Sequence, residues 1–171
     1  MSRLDYAYCA GLFDGEGCIG IYNDKSDGWN SWFFRIQMTS TSVASLNKMI
    51  GMFGGHYIEH KRTPSNNLTP RFVAYHWALS GVKAYEALKK MRPFLVEKKA
   101  QADIAMKFFI YQKHTSVGYA RKYGLPASVI RKREDFLKRL KTARTASLTP
   151  FALAETECEN TVMGEATVQL G

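Results

Sequence analysis

In the first quarter of the chain, the apolar residues are first spaced as in a helix and then alternate with polar residues, as in a strand. A helix is predicted from Asp5, a residue type that favours N-caps, to Asp14. Residues 17–24 then alternate as a strand, the polar cluster at 24–28 is a turn, and residues 29–39 alternate as a second strand. The chain therefore begins with a helix followed by two strands.

The same succession of periods returns further along the chain. Apolar spacing over residues 42–53 predicts a second helix, which the glycine pair at 54–55 ends. Two more strands and a series of helical stretches follow, the first stretch interrupted by a proline. The predicted strands cover 56–62 and 71–79, and the helical patterns cover 82–112, with a break near Pro93, and 126–144.

This order of elements predicts an α+β fold of the form αββαββα with extra C-terminal helices. The four strands are expected to form one mainly antiparallel sheet, with helices on one face and the other face open for a ligand. We expect a single domain over residues 1–145. The periodic pattern fades beyond it, so residues 146–171 are predicted to be a loosely ordered acidic tail.

The second strand divides its side chains between two faces of the sheet. One set is apolar and is predicted to be core: Trp32, Phe34, Ile36 and Met38. The other set carries long polar side chains and is predicted to lie on the open face: Ser31, Phe33, Arg35 and Gln37.

Positive charge is concentrated in the body of the chain. The net charge is +9, from 24 basic and 15 acidic residues, and residues 151–171 hold four of the acids and no Lys or Arg. The first 150 residues therefore carry +13, which favours a polyanionic partner, most often nucleic acid. A body whose lysines merely aid solubility is the alternative.

Three cysteines are scattered without metal-ligand spacing, which fits a reducing, intracellular compartment better than a disulfide framework. The sequence has no run of about 18 apolar residues that would predict a membrane span. Its N-terminus lacks the pattern of a signal peptide. These features do not distinguish an organellar protein from a bacterial or phage one.

Residues 9–17, CAGLFDGEG, combine small residues, two acids and three glycines at the end of the first predicted helix. Asp14 and Glu16 would lie at the negative end of the helix dipole, at a cost of roughly 0.3–1 kcal/mol each. A divalent cation is the natural group to offset that charge. A glycine-rich acidic turn that simply ends a helix is the alternative.

The same helix carries a strip without bulky side chains. Ala7, Ala10 and Gly11 recur at helical spacing, so a second helix could approach closely along them. A twofold dimer would pair two copies of this helix. Packing of the strip against the core of its own chain is the alternative.

The nonapeptide resembles the LAGLIDADG signature of homing endonucleases, with Cys9 for the leading Leu and Gly15-Glu16 for the Ala-Asp pair. The resemblance extends over residues 5–112, through the order of elements and through PFLVEKKAQA at 93–102. It implies a saddle-shaped, four-stranded antiparallel sheet. Because the motif occurs once, it also implies a homodimer.

The resemblance further implies a metal site and a catalytic lysine. Glu16 would bind Mg²⁺ or Mn²⁺, with the Gly15 carbonyl as a second ligand, and Ca²⁺ would bind without supporting cleavage. Lys98 would stabilise negative charge or position water near the scissile phosphate, and an ordinary exposed lysine is the alternative. Asp14 is expected to support the structure.

Two departures from the family pattern bear on catalysis. Met38 occupies the position where the family commonly has a water-organising polar residue, and Ser42 stands where some members carry a basic residue. Gln37 is adjacent to Met38 but points to the opposite face of an ideal strand. The groups that organise water are therefore left unassigned.

The open sheet face is expected to contact double-stranded DNA, because Arg and Gln can read guanine and adenine edges in the major groove. The predicted DNA-contacting residues are Tyr22, Asp24, Ser31, Arg35, Gln37, Tyr57, Glu59 and Lys61, with Arg71, Tyr75 and His76 as further candidates, because the parity of the fourth strand is ambiguous. A basic cluster on the last helix would contact phosphates or simply be solvated: Arg131, Lys132, Arg133, Lys138, Arg139, Lys141 and Arg144.

The leading hypothesis is a homodimeric, Mg²⁺-dependent endonuclease similar to intron- or intein-associated enzymes, which cuts both strands of a long, nearly palindromic DNA site. A non-catalytic DNA- or RNA-binding protein on the same scaffold, such as a regulator or an intron maturase, is the first alternative. Met38 and Ser42 favour it. A structural or protein-interaction domain is the second alternative.

Overall fold

Helices and strands follow one another in the predicted α+β order. The computed structural model describes residues 2–24, 31–59, 73–115 and 124–146. The elements are α1 (Arg3–Glu16), β1 (Gly17–Asp24), β2 (Ser31–Ser40), α2 (Val43–Phe53), β3 (Tyr57–Glu59), β4 (Tyr75–Ser80), α3 (Gly81–Met91), a 3₁₀ turn (Arg92–Phe94), α4 (Lys99–Thr115) and α5 (Ala127–Ala146). The predicted turn at 25–28, the strand residues 60–62 and the tail beyond residue 146 lie outside the described residues.

The four strands form one antiparallel sheet in the order β1-β2-β4-β3. The long strand β2 is central, and it pairs with β1 over the whole of residues 17–24. This confirms the predicted four-stranded antiparallel sheet. Because β1 follows α1 without a loop, the end of α1 is fixed to the edge of the sheet.

The core lies between the sheet and the helices. The four predicted core residues of β2 are buried, with at most 4% of their surface exposed. Trp32 and Phe34 contact Phe108 and Phe109 of α4, with ring centroids 6.4 and 5.6 Å apart. Burial of one such side chain contributes about 1.5–3 kcal/mol, so these contacts hold α4 against one face of the sheet.

The start of α1 is fixed by a capping box. Ser2 is the N-cap: its hydroxyl accepts a hydrogen bond from the Asp5 N–H, and the Asp5 carboxylate accepts one from the Ser2 N–H. The prediction that Asp5 is the N-cap is therefore wrong, since Asp5 occupies the third helical position. The Lys48 ammonium, 2.6 Å from the Asp5 carboxylate, holds the pKa of Asp5 well below its usual range and ties α1 to α2.

The predicted break near Pro93 is confirmed. α3 ends at Met91, Pro93 lies in the 3₁₀ turn, and α4 starts only at Lys99. Arg92 forms a two-point ion pair with Asp103 of α4, and this guanidinium lowers the pKa of Asp103. The ion pair therefore fixes the segment 95–98 between the turn and α4.

The last helix is amphipathic, as predicted. Phe136 and Leu140 of α5 are buried, and Phe136 contacts Phe108 of α4 with ring centroids 5.9 Å apart. Within the part of the chain that the structure describes, no helix is both long and apolar enough to cross a membrane.

Gly17 connects α1 to β1 at a position with no room for a side chain, since a Cβ there would overlap the ring and carbonyl of Phe13. We expect Gly17→Ala to lower the free energy of unfolding by about 1–3 kcal/mol, measured by urea denaturation. Gly51→Ala is the matched control, because a Cβ there meets nothing within 4 Å in an exposed stretch of α2. It should raise stability by about 0.5–1 kcal/mol. Equal effects of the two substitutions would contradict this account.

Candidate functional site

The last turn of α1 places two carboxylates at the negative end of the helix and contains no basic residue of its own. The Asp14 carboxylate accepts hydrogen bonds from the backbone N–H of Val96, at 2.7 Å, and of Lys98, at 3.0 Å. The Lys98 ammonium donates to the Asp14 carbonyl. These donors offset the charge of Asp14 at the helix end, which agrees with its expected supporting role.

Glu16 is in a different environment from Asp14. Its side chain is exposed, and it makes no hydrogen bond or ion pair within the described part of the chain. Gly15 is also exposed, and a Cβ added there would contact nothing within 4 Å. The turn therefore presents the unpartnered Glu16 carboxylate and the sterically open backbone of Gly15, next to the Asp14 carbonyl to which Lys98 donates.

The donor set at this turn fits a hard cation only if further ligands come from elsewhere. Among the described residues, no group of three or more His, Cys, Asp or Glu side chains could hold a metal ion. The Glu16 carboxylate and the Gly15 carbonyl supply two oxygens. Mg²⁺ commonly uses one or two carboxylates and keeps several waters, so these two residues fit it.

The face of the sheet opposite the helices, here named the open face, is defined by the strand register. Residues directly opposite each other in antiparallel strands project to the same side, so the pairings with β2 extend its outward set to the other strands. The open-face residues are Cys18, Gly20, Tyr22 and Asp24 of β1, Ser31, Phe33, Arg35, Gln37 and Thr39 of β2, Ile58 of β3, and His76, Ala78 and Ser80 of β4.

All of the residues predicted for the open face from β1 and β2 lie there. The set consists of Tyr22, Asp24, Ser31, Arg35 and Gln37, together with the candidate His76 of β4. Their contact with DNA stays a prediction. Lys61 and Arg71 lie outside the described residues.

Three residues predicted for the open face lie on the helix side instead. Tyr57 pairs with the fully buried Trp77, and Glu59 pairs with Tyr75. The rings of Tyr57 and Tyr75 are in contact, with centroids 5.2 Å apart. The placement of Tyr57, Glu59 and Tyr75 on the open face is therefore wrong, because a shift of one residue in parity moves a whole strand to the other face.

Sequence reasoning missed six open-face residues: Cys18, Gly20 and Thr39 on β1 and β2, and Ile58, Ala78 and Ser80 on β3 and β4. Trp77 was the available signal, since a tryptophan inside a strand that covers a core fixes the parity of its neighbours. Ile58 is 58% exposed, which its apolar side chain alone would not predict.

The predicted small-residue strip on α1 is only partly exposed. Ala10 is fully buried in the core with Cys9 and Phe13, so its assignment to a dimer interface is wrong. Ala7 is half-buried and Gly11 is exposed. Four exposed residues of α1 recur at helical spacing along one face, and we name them the outer stripe: Leu4, Tyr8, Gly11 and Gly15.

The basic cluster on α5 is also divided. Arg133 is 2% exposed and donates to the Thr115 hydroxyl at 3.1 Å, so the prediction that it contacts phosphate is wrong; its burial lowers its pKa. Arg144 donates to the Ile19 carbonyl on the edge strand β1 and is half-buried. The exposed members of the cluster are Arg131, Lys132, Lys138, Arg139 and Lys141.

Met38 and Ser42 have structural roles that explain the departures from the family pattern. Met38 is 1% exposed and lies in the core opposite Gly17. Ser42 is the N-cap of α2, and its hydroxyl accepts a hydrogen bond from the Ser45 N–H at 3.3 Å. The water-organising groups remain unassigned.

Comparison with known proteins agrees with this architecture. Residues 9–91 match the family model described as LAGLIDADG endonuclease. No curated protein matches the chain. The family match confirms, over residues 9–91, the resemblance to LAGLIDADG endonucleases predicted from residues 9–17.

Solved structures of homing endonucleases share the fold. The chain superposes on I-CvuI, crystallised with its target and Ca²⁺, with a TM-score of 0.61 at 18% identity, covering 82% of each chain. It superposes on the archaeal, intron-encoded I-Vdi141I in complex with DNA with a TM-score of 0.62 at 14% identity, covering 82% of this chain and 84% of that one. Likeness at these identities establishes the shared fold alone.

The two carboxylates at the end of α1 should respond oppositely to neutralisation. Asp14→Ala removes the acceptor of two backbone N–H groups and should lower the free energy of unfolding by about 1–3 kcal/mol. Glu16→Gln removes an unpartnered charge at the negative end of the helix, so stability should be unchanged or slightly higher. Urea denaturation at neutral pH measures both. A destabilised Glu16→Gln variant would show that Glu16 has a structural partner.

Proposed function

We propose that this protein is a site-specific DNA endonuclease that uses a divalent metal and acts as a homodimer on a long, nearly palindromic duplex. The observation that carries the proposal is the unpartnered Glu16 carboxylate at the end of α1, next to the carbonyl to which Lys98 donates. A carboxylate left uncompensated at the negative end of a helix is unfavourable for folding alone. Its retention is explained by a role in binding a cation.

The residues at the turn divide the chemistry between them. Glu16 and the Gly15 carbonyl would hold Mg²⁺ or Mn²⁺, and Ca²⁺ would occupy the site without supporting cleavage. When bound, the cation neutralises phosphate charge and supplies an activated water. Lys98 is held at the helix end by its bond to the Asp14 carbonyl, where its ammonium would stabilise the negative charge that develops on the phosphate.

The open face fits the major groove of a duplex. It is bordered by β1, which starts directly after Glu16, so a duplex on this face would pass the end of α1. Arg35 and Gln37 offer donors and acceptors to base edges, and the exposed cations of α5 would contact phosphates. I-CvuI and I-Vdi141I, which share the fold, were crystallised with DNA.

A second copy of the chain is needed to cut both strands, because each chain supplies one unpartnered carboxylate at this turn. The outer stripe of α1 offers a surface for it: Leu4 is 80% exposed and Tyr8 is 55% exposed, while Gly11 and Gly15 allow close approach. Pairing of two outer stripes across a twofold axis would bring both Glu16 residues beside one duplex.

A non-catalytic DNA- or RNA-binding protein on the same scaffold is the second candidate. The observation that favours it is the use of Met38 in the core and of Ser42 as an N-cap, at positions where the family carries water-organising or basic residues. Binding of an enriched duplex without cleavage in any of Mg²⁺, Mn²⁺ or Ca²⁺ would select this candidate.

Glu16→Gln should abolish cleavage and keep specific binding. A target is first enriched from a randomised duplex pool on the full chain in Ca²⁺, and cleavage of a plasmid that carries it is then measured in Mg²⁺. The amide keeps the shape of the side chain and removes the charge that holds the cation, so cleavage should fall at least a hundredfold, an order-of-magnitude estimate for loss of metal-assisted catalysis. Glu86→Gln, on an exposed part of α3, is the matched control and should cut normally. Wild-type cleavage by Glu16→Gln would refute the site.

Gly11→Leu should convert the dimer into monomers. A side chain at Gly11 meets no atom of its own chain within 4 Å, so the protomer should keep its fold while the outer stripe becomes too bulky for a second helix. Light scattering gives the oligomeric state and circular dichroism checks the fold. Gly51→Leu, at an equally open position of α2, should leave the dimer intact. A Gly11→Leu dimer as tight as the wild type would place the interface elsewhere.

A further inference from the structure

Two stacked aromatic rings contact one arginine on the open face. The ring of Tyr22 stacks on that of Phe33, with centroids 5.4 Å apart and planes inclined by 22°. The guanidinium carbon of Arg35 lies 5.9 Å from the Tyr22 centroid and 5.4 Å from the Phe33 centroid. Its Nε donates to the Ser80 hydroxyl at 3.4 Å. We name Tyr22, Phe33 and Ser80 the arginine bracket.

Gly20 is the residue that makes this arrangement possible. It lies directly opposite Arg35 in the β1–β2 pairing. A Cβ at Gly20 would overlap the ring of Tyr22, which crosses the glycine to reach Phe33 and Arg35. Any larger residue would therefore move the Tyr22 ring out of the bracket.

We propose that the arginine bracket holds Arg35 in position to read a guanine in duplex DNA, with Tyr22, Phe33 and Gly20 as positioning residues. The inference rests on the proposed function. Because Ser80 engages Nε, the outer N–H groups on Nη1 and Nη2 remain, and they make no hydrogen bond within the described part of the chain. Guanine offers two acceptors, N7 and O6, in the major groove, which a planar guanidinium matches with two parallel bonds.

Contacts on both rings restrict the side chain before it binds. A free arginine has many rotamers, and their loss on binding reduces affinity. Cation–π contact with two rings and the bond to Ser80 limit that freedom in advance. The bracket therefore reduces the conformational entropy that Arg35 loses when it binds a guanine, and its own residues need not contact the base.

The same geometry argues for base edges of a duplex over unpaired bases. Tyr22 and Phe33 stack on one another, so one face of each ring is already covered, and both rings also contact Arg35. A platform for single strands presents free ring faces on which bases stack. Arg35 is half-buried beside this pair, and its Nη1 and Nη2 groups are donors of the kind that a base edge accepts.

The test measures base preference position by position with the full chain. Duplexes enriched in Ca²⁺ are varied to each of the four bases at each half-site position, and competition binding gives the preferences. We expect one guanine preference, roughly ten- to hundredfold, that Arg35→Ala abolishes and Arg35→Lys does not restore, because an ammonium lacks the planar pair of donors. Preferences at other positions should change less than about twofold.

The positioning residues are tested at that same position. Tyr22→Leu, Phe33→Leu and Gly20→Ala should each reduce the guanine preference several-fold, while Tyr22→Phe, which keeps the ring, should retain it. Gly51→Ala is the glycine control and should leave every preference unchanged. Circular dichroism confirms that each variant is folded, and Tyr22→Leu and Phe33→Leu keep the test valid where Gly20→Ala does not fold.

Three results would overturn the inference while leaving the endonuclease proposal intact. Arg35→Ala could leave all preferences unchanged, Tyr22→Leu and Phe33→Leu could both keep the full guanine preference, or the ring variants could weaken all positions equally. A pool that yields no enriched duplex at all would instead refute the proposed function, and the inference with it.

Discussion

The negative end of α1 is the electrostatic constraint on which the rest of the structure depends. The last backbone carbonyls of the helix and two carboxylates meet there, and the last turn contains no basic residue of its own. The chain compensates one carboxylate, Asp14, with donors from residues 96–98, which the break at Pro93 and the Arg92–Asp103 pair hold in place. Glu16 receives no such compensation within the described residues. The compensated Asp14 thus contributes to stability, and the uncompensated Glu16 forms the candidate site.

Packing of α1 against the core fixes the position of the Asp14 and Glu16 carboxylates. The inner side of α1 inserts Cys9, Ala10 and Phe13 into the core, and Phe13 closes over Gly17 at the junction with β1. The helix therefore cannot rotate or slide without opening the core, and its last turn stays at the sheet edge. The outer stripe consists of residues of α1 that stay exposed because they do not pack into the core.

The sequence predicted those features that depend on local pattern and missed those set by distant partners. Strict alternation identified both faces of β2, and the motif identified the turn with Glu16. The parity of β3 was wrong and that of β4 was left open, because short strands carry little periodic signal and Trp77 decides their register. Ala10, Arg133 and Arg144 were misjudged for a related reason: helical spacing shows which residues share a face, but the neighbour that covers that face comes from elsewhere in the chain.

A single rigid strand connects the candidate site to the arginine bracket. β1 starts at Gly17, directly after Glu16, and within its first six residues it places Gly20 opposite Arg35 and Tyr22 opposite Phe33. Side chains on strands are held more firmly than side chains on loops, because pairing on the sheet fixes the backbone. A duplex aligned by the bracket would therefore meet the end of α1 at a constant spacing. Recognition and hydrolysis, on the proposed function, are coupled by the covalent continuity of α1 and β1 and need no moving part between them.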